Sequence, residues 1–134
     1  MNTVYAEKQK LASIKTEIPG PKSLQLFNEE TNYIAPGIQT IATRSKIAID
    51  KGEGCVVQDI DGNRYIDFFA GVGVASLGYN HPAYNKMMHE QLNNIHVGSF
   101  TSRNRVALTK LLAGNAIGDL TRSQFYSGGA EAVE

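Results

Sequence analysis

Two short runs of β-forming residues on either side of an Asp-Gly pair constrain the fold of this chain most. The runs are residues 55–60 and 64–68, and they flank Asp61 and Gly62. Because Asp-Gly tolerates the positive φ angles of a tight type I′ turn, the pattern predicts a β-hairpin. Taken alone, the hairpin indicates structure and no particular chemistry.

Length, composition and charge exclude several classes of protein. The chain has 134 residues, of which 42% are hydrophobic and 19% charged, a composition typical of a globular domain. Its 13 basic residues balance 13 acidic ones, so the net charge does not favour nucleic acid or an anionic membrane surface. No apolar run approaches the roughly 18 residues of a membrane span, and Met1 to Lys10 lack the apolar core of a secretory signal. We therefore expect a cytoplasmic protein with no nucleic-acid or membrane partner.

The cysteine and the histidines form no metal-binding pattern. Cys55 is the single cysteine, which excludes an internal disulfide, and we expect it to pack as a small apolar side chain. His81, His89 and His96 lie at wider intervals than the ~3 or 4 residues of a helical metal pair. No metal site is predicted. His81 can cap the helix that follows it or lie near a pocket.

Proline and glycine divide the first part of the chain into short elements. Residues 1–20 have weak periodicity and end at a Pro-Gly-Pro stop, so we expect an arm or a sheet edge there. The apolar residues of 22–32 permit a short helix, which the turn signal at Pro36 and Gly37 would end.

Two longer helices are predicted further along. The first begins at Pro82, behind a cap by Asn80 or His81, and its apolar stripe is expected to be core. The stripe comprises Tyr84, Met87, Met88, Leu92 and Ile95. The second helix runs through the apolar positions of 106–112 and ends near Gly114.

A run of small residues, 70–78, lies between the hairpin and the first of these helices. Its glycines, Gly71, Gly73 and Gly78, let the backbone approach a neighbour closely. The run is not a GxGxxG that opens a helix, and no phosphate-loop Gly-Lys-Ser or Gly-Lys-Thr follows it, so nucleotide binding is disfavoured. Close packing of the chain and the lining of a small-molecule pocket both stay open.

The segment 123–134 combines a short β-forming run, a glycine turn and a helix start. We predict a strand over residues 123–126 and a helix from Ala130. The first N–H groups of a helix lack internal acceptors and its dipole favours an anion, so a phosphate would fit beside Ser127, Gly128 and Gly129.

An ordinary helix cap is the alternative interpretation of this segment. Glu131 and Glu134 would repel a phosphate if they pointed inward, so phosphate binding requires them to face sideways or away. The few helical residues at the end of the chain cannot offset the cost of helix nucleation. We therefore expect the natural polypeptide to continue, with this chain as a fragment of it.

Four signatures in the chain resemble those of class III pyridoxal-phosphate-dependent aminotransferases, of the kind that act on ω-amino groups such as that of 4-aminobutyrate. In family order they are PGPKS at 19–23, VQDIDGNRYIDF at 57–68, LGYNHP at 77–82 and SGGAEAVE at 127–134. Each signature is modestly specific, but together they extend over residues 19 to 134 in the family's order and spacing.

The resemblance implies the α/β architecture of the fold type I pyridoxal-phosphate-dependent transferases. In that architecture an N-terminal arm and a small antiparallel hairpin region precede a large domain with a mostly parallel sheet. Residues 1–78 would form the arm and the hairpin segment, as part of the small domain. Residues 79–134 would start the large cofactor-binding domain.

The resemblance also implies where the site lies. Ser127, Gly128, Gly129 and Ala130 would bind the phosphate of pyridoxal 5′-phosphate. Many family members carry Ser or Thr at the position of Ala130, so this chain offers one hydroxyl donor fewer. Val72, and with it Phe100, would line the substrate pocket. The lysine that forms the Schiff base lies downstream in the family, so no catalytic residue is assigned and the 134-residue chain alone is expected to be inactive.

The implied activity of the full-length protein is transfer of an amino group from an amino donor to an oxo-acid, by a homodimer. A racemase, epimerase, aminomutase or decarboxylating transaminase of the same fold stays open, as does an inactive fragment that acts as an interaction module. The sequence does not identify the donor or the acceptor.

Overall fold

The computed structural model describes residues 11–35, 37, 40–95 and 98–134. It has two compact units, Met1–His89 and Glu90–Glu134. Pro36, predicted to belong to a turn, and His96, one of the three histidines, lie outside the described residues.

The first unit contains a three-stranded antiparallel sheet in the order β1-β2-β3. Its strands are β1 (Ile49–Glu53), β2 (Val56–Asp59) and β3 (Arg64–Ile66). The predicted hairpin is confirmed as β2 and β3, with Val57 opposite Tyr65. β1 is not evident from the sequence, because it contains Asp, Lys and Gly, which are depleted in strands.

The turn of this hairpin differs from the predicted type. The N–H of Asp59 donates to the carbonyl of Asn63 at 3.0 Å, so residues 60–62 connect the paired residues of the two strands. Gly62 has a φ of 86°, whereas Asp61 is not among the residues with positive φ. A type I′ turn needs positive φ at both positions, so that prediction is wrong. The connection is a three-residue loop with glycine in the left-handed position.

The predicted short helix is α1 (Pro21–Glu30), and its N-terminus has no side-chain cap of its own. Asp61 supplies the cap from the hairpin loop: its Oδ1 accepts from the N–H of Lys22 at 2.9 Å and its Oδ2 from the N–H of Ser23 at 2.8 Å. Gly20 makes this approach possible, since a Cβ there would lie 2.3 Å from Cγ of Asp61. The helix therefore begins where the hairpin contacts it.

The described part of the arm, residues 11–20, contacts the edge of the sheet at Ser13, in agreement with the expected arm or sheet edge. Ser13 exchanges two backbone hydrogen bonds with Arg64, at 3.0 and 2.8 Å. The fully buried Asn63 accepts a hydrogen bond from the N–H of Thr16 at 3.0 Å and donates one to the fully buried Asp59 at 2.8 Å. Buried polar groups therefore hold the arm to the hairpin.

The remaining helices are α2 (Thr40–Ser45), α3 (Ala70–Gly73), α4 (Pro82–Asn94), α5 (Arg103–Asn115) and α6 (Gly129–Val133). Both longer helices expected from the sequence are confirmed as α4 and α5. The sequence left the cap of α4 open between Asn80 and His81, and the cap is His81, whose Nδ1 accepts from the N–H of Tyr84 at 3.4 Å.

The strand expected at 123–126 is absent. Residues 98–134 are all described, and they form helices and irregular backbone but no strand. A strand needs a neighbour to complete its hydrogen bonds, and β-propensity alone does not supply one. That prediction is therefore wrong for this chain.

Little apolar surface is buried within the chain. Among the described residues the buried apolar side chains are Val56 and Val57. The α4 stripe, predicted to be core, is 44% to 61% exposed because no second element packs extensively against it among the described residues. Cys55, predicted to be packed, is exposed because it lies in the turn between β1 and β2. Every helix in the described ranges is too short or too polar to cross a bilayer.

Candidate functional site

The first four of the small residues at 70–78 form one left-handed helical turn, α3. Ala70, Gly71, Val72 and Gly73 have φ angles of 49°, 59°, 66° and 80°. Each residue other than glycine in this conformation costs about 1–2 kcal/mol, and a β-branched residue there is an outlier. Such strain persists only where the surrounding structure enforces it, and it is often found at functional sites.

Backbone hydrogen bonds close α3 and leave Val72 on the surface. The N–H of Gly73 donates to the carbonyl of Phe69 at 3.1 Å, and the N–H of Val74 donates to the carbonyl of Ala70 at 2.9 Å. The side chain of Val72 is 67% exposed. The strained turn therefore presents an apolar side chain outward.

The start of α3 is held by Asp67. Its Oδ1 accepts from the N–H groups of Phe69 at 2.8 Å and Ala70 at 3.0 Å, and its Oδ2 accepts from the hydroxyl of Tyr79 at 2.6 Å. The hydrogen bond from Tyr79, helped by those two N–H groups and opposed by burial, lowers the pKa of Asp67 below its ordinary 3.8. The same bond raises the pKa of Tyr79 above 10.0.

The backbone beyond α3 is held by Tyr79. It exchanges two backbone hydrogen bonds with Gly54, at 2.9 and 2.8 Å. Gly52 accommodates the ring, since a Cβ there would lie 2.7 Å from Cγ of Tyr79. Gly78 has a φ of 78°, and a Cβ there would lie 2.9 Å from the carbonyl oxygen of Gly54. The segment from 67 to 79 is thereby attached to the sheet.

An apolar cavity of about 490 Å³ borders α3 within the first unit. Its lining comes from α2, the sheet and the segment around α3, and includes Ile41, Ile49, Val57, Phe69, Gly71 and Tyr79. Of the two roles that the sequence left open for the small-residue run, close packing of the chain is confirmed, and the lining of a small-molecule pocket stays a prediction. Gly78 packs closely on backbone, and Gly71 borders a cavity.

The expected phosphate-binding residues lie at the start of α6. Gly128 is the N-cap residue, with a φ of −147°, and no side chain caps the helix. A Cβ on Gly129 would meet no atom within 4 Å, so the backbone there is open. However, Oε2 of Glu131 lies 2.6 Å from the place that a Cβ on Gly128 would occupy. Binding of an anion requires this flexible carboxylate to turn outward.

The predicted site residues are divided between the two units. Val72 belongs to the first unit, and Phe100, Ser127 and Ala130 belong to the second. Phe100 is 82% exposed and precedes α5.

The sequence interpretation missed the two residues that support α3. An Asp that precedes a bend is typical of an Asx turn, and this signal could have identified Asp67. Nothing local indicates Tyr79, since its hydroxyl reaches Asp67 across 12 positions of the chain.

Comparison with known proteins gives the family. The family model described as aminotransferase class-III matches residues 38–134. Acetylornithine aminotransferase of Methanothermobacter thermautotrophicus is 43% identical over 94 residues, which are 69% of this chain and 24% of that protein. Acetylornithine aminotransferase 1 of Bradyrhizobium diazoefficiens is 36% identical over 106 residues, 78% of this chain and 26% of that protein. The chain thus spans about a quarter of the length of these relatives.

Solved structures of transaminases are also similar to this chain. An (S)-enantioselective omega-transaminase from Thermomicrobium roseum superposes with a TM-score of 0.71 at 27% identity, over 82% of this chain and 26% of that one. The omega-transaminase from Pseudomonas jessenii in complex with PMP gives a TM-score of 0.68 at 25% identity, over 81% of this chain and 25% of that one. The expected α/β fold of the pyridoxal-phosphate-dependent transaminases is confirmed. The chain belongs to the class-III aminotransferase family.

Proposed function

We propose that the protein containing this chain is a pyridoxal-phosphate-dependent transaminase that transfers the terminal amino group of an N-acylated diamino acid, of the acetylornithine type, to a 2-oxo acid. The observation that carries the proposal is the class-III aminotransferase match over residues 38–134. The relatives reported above are named for acetylornithine. The resemblance suggested 4-aminobutyrate as an example of a donor, and we therefore use it as the comparison substrate in the assay described below.

In this proposal Ser127, Gly128, Gly129 and Ala130 hold the phosphate of the cofactor. Two features of α6 support the fit: no side chain caps its first N–H groups, and the backbone at Gly129 is open. Uncapped N–H groups and the positive end of the helix dipole favour a phosphate. Ser127 adds a hydroxyl, while Ala130 adds none. When bound, the cofactor supplies an electron sink for reaction at the carbon that bears the amino group.

Val72 and Phe100 are assigned to the substrate pocket in the same proposal. Both side chains are apolar and exposed within this chain, at 67% and 82%. Apolar side chains in a pocket exclude water and discriminate between substrates mainly by size. They would contact the carbon skeleton of the donor rather than its charged ends.

The proposed arrangement includes a small-domain part, residues 1–78, and the start of the cofactor-binding domain, residues 79–134. The working protein would be a cytoplasmic homodimer that binds an amino donor and an oxo-acid. The exposed apolar face of α4 supports an assembly larger than this chain, since exposed apolar patches of this kind mark packing or interaction surfaces.

The proposal is tested with the protein expressed from its complete gene, supplied with pyridoxal 5′-phosphate, N-acetylornithine and 2-oxoglutarate. We expect the donor to disappear only when the oxo-acid is present, with glutamate formed in equal amount. The same assay with 4-aminobutyrate should proceed more slowly. Failure to transfer an amino group from any donor would refute the proposal.

Two further measurements in this assay separate the alternatives of the same fold. Release of CO₂ from the donor would indicate a decarboxylating transaminase. Inversion of the donor or migration of its amino group without any oxo-acid would indicate a racemase, an epimerase or an aminomutase. Either result would replace the proposed reaction.

A further inference from the structure

The left-handed conformation of α3 needs a cause outside α3 itself. Its backbone hydrogen bonds do not select the handedness, because a right-handed turn closes similar bonds without the cost at Ala70 and Val72. Among the described residues little packs directly beneath it, since Gly71 and Phe69 border the cavity of about 490 Å³. A loosely packed, strained turn depends on the contacts at its ends.

The Asp67 carboxylate supplies such a contact with both of its oxygens. Oδ1 holds the N–H groups of Phe69 and Ala70, the first residue with positive φ in α3, while Oδ2 receives the hydroxyl of Tyr79. The hydroxyl orients the carboxylate, so that Oδ1 faces those two N–H groups. Tyr79 is itself anchored to Gly54 by two backbone hydrogen bonds. The pair therefore links α3 to the sheet.

We propose that Asp67 and Tyr79 are positioning residues for substrate selection: their hydrogen bond holds α3 in its left-handed form and thereby sets where Val72 meets the amino donor. The inference rests on the proposed function, because it takes Val72 as part of the substrate pocket. Loss of the bond lets the carboxylate rotate, frees the N–H groups of Phe69 and Ala70, and allows Val72 to move. Discrimination between large and small donors then changes, while the chemical groups of the reaction stay in place.

A second tyrosine–aspartate pair in the same unit provides a matched control. The hydroxyl of Tyr65 donates to Oδ2 of Asp59 at 2.7 Å, within the hairpin. Tyr65→Phe and Tyr79→Phe each remove one hydrogen bond from a tyrosine to a carboxylate and keep the ring. A purely structural role for Tyr79 predicts similar effects of the two variants on stability and on selectivity.

The experiment uses the protein expressed from its complete gene, as wild type, Tyr79→Phe, Tyr65→Phe and Asp67→Asn. One measurement is the ratio of kcat/KM for a bulky and a small amino donor. The other is hydrogen–deuterium exchange of the peptide that covers residues 67–79, which needs no activity.

For Tyr79→Phe we expect the donor ratio to change by about fivefold or more, and exchange over 67–79 to rise by about tenfold. Tyr65→Phe should lower the Tm but leave the donor ratio within about twofold of wild type. Asp67→Asn keeps an acceptor for the N–H groups of Phe69 and Ala70, so its effects should lie between those of wild type and Tyr79→Phe.

Two results would overturn the inference, and they distinguish its failure from the failure of the proposed function. An active wild type with an unchanged donor ratio in Tyr79→Phe would refute positioning while the transaminase assignment stands. A wild type that transfers no amino group would refute the proposed function and, with it, the claim about donors. In that case, unchanged hydrogen–deuterium exchange over residues 67–79 in Tyr79→Phe would also refute the claim that the hydrogen bond between Tyr79 and Asp67 holds α3.

Discussion

The Asp61 carboxylate accepts two hydrogen bonds from Ser23, one from its N–H at 2.8 Å and one from its hydroxyl at 2.7 Å. A hairpin loop thus caps a helix that begins about forty positions earlier in the chain. Two of the four signatures, residues 19–23 and 57–68, meet at this contact. These signature residues have a structural role, since they join the hairpin to α1.

Gly20→Ala is expected to lower the free energy of unfolding by about 1–3 kcal/mol. The added Cβ would lie 2.3 Å from Cγ of Asp61, so the cap of α1 must move. Gly114→Ala is the control, because a Cβ there meets no atom within 4 Å and Gly114 lies inside α5. We expect this change to raise stability by about 0.5–1 kcal/mol. Urea unfolding of both variants measures the difference, and equal effects would contradict the clash.

Acid should weaken the contacts made by Asp61 and Asp67. Burial raises the pKa of Asp61, but hydrogen bonds from the Ser23 hydroxyl and from the N–H groups of Lys22 and Ser23 outweigh it and lower the pKa below 3.8. The pKa of Asp67 is lowered mainly by Tyr79. A lowered folded-state pKa contributes stability above the unfolded value of about 3.9, and this is lost as the pH falls through the folded value.

Unfolding experiments between about pH 5 and pH 2 check this prediction. Asp61→Asn and Asp67→Asn should each reduce the loss of stability over this range, since each removes one titrating group. Asp119→Asn, at an exposed position in the second unit, is the control and should leave the curve unchanged. Parallel curves for all four proteins would show that these carboxylates do not cause the acid effect.

At alkaline pH, Tyr65 should ionise later than an ordinary tyrosine. Burial, followed by the hydrogen bond to Asp59, raises the pKa of Tyr65 to about 12. Its contribution to stability is present below the unfolded value of about 10 and is lost as the pH rises towards the folded value. Ultraviolet titration of tyrosinate measures the pH at which Tyr65 ionises. Tyr65→Phe should remove the step near pH 12, and Tyr33→Phe, at an 87% exposed residue, should retain it.

Val72→Gly should change stability by less than about 1 kcal/mol, because relief of the left-handed strain offsets the added freedom of the unfolded chain. Under the proposed function it should also raise kcat/KM for bulky donors relative to small ones. Val74→Gly is the matched control: Val74 is 81% exposed and has a φ of −90°, so glycine relieves no strain there. If both variants lose the same stability, α3 is not strained at Val72.

Ala130→Thr should tighten the binding of pyridoxal 5′-phosphate by about tenfold, because the hydroxyl adds a donor to a charged phosphate. The dissociation constant is measured by titrating the apoprotein with cofactor. Ala132→Thr, two positions further along α6, is the control and should not tighten binding. An unchanged dissociation constant in Ala130→Thr would place the phosphate elsewhere.

Local interactions account for what the sequence determined by itself. Turn residues and periodicity within a few positions indicate that the hairpin, α1, α4 and α5 exist, and they place the cap of α4 at Asn80 or His81. The family signatures were readable for the same reason, because each is a short contiguous segment. The fold class followed from their order.

Contacts between distant residues decided the rest. Asp61 caps α1 rather than forming a type I′ turn, and Tyr79 and Asp67 hold α3 left-handed, through hydrogen bonds that span 12 to 39 positions. Residues 123–126 have strand propensity but no partner strand among the described residues, and no element there packs extensively against the apolar stripe of α4. Propensity and periodicity describe what a segment can form, whereas turn type, handedness and burial depend on which other segment lies against it.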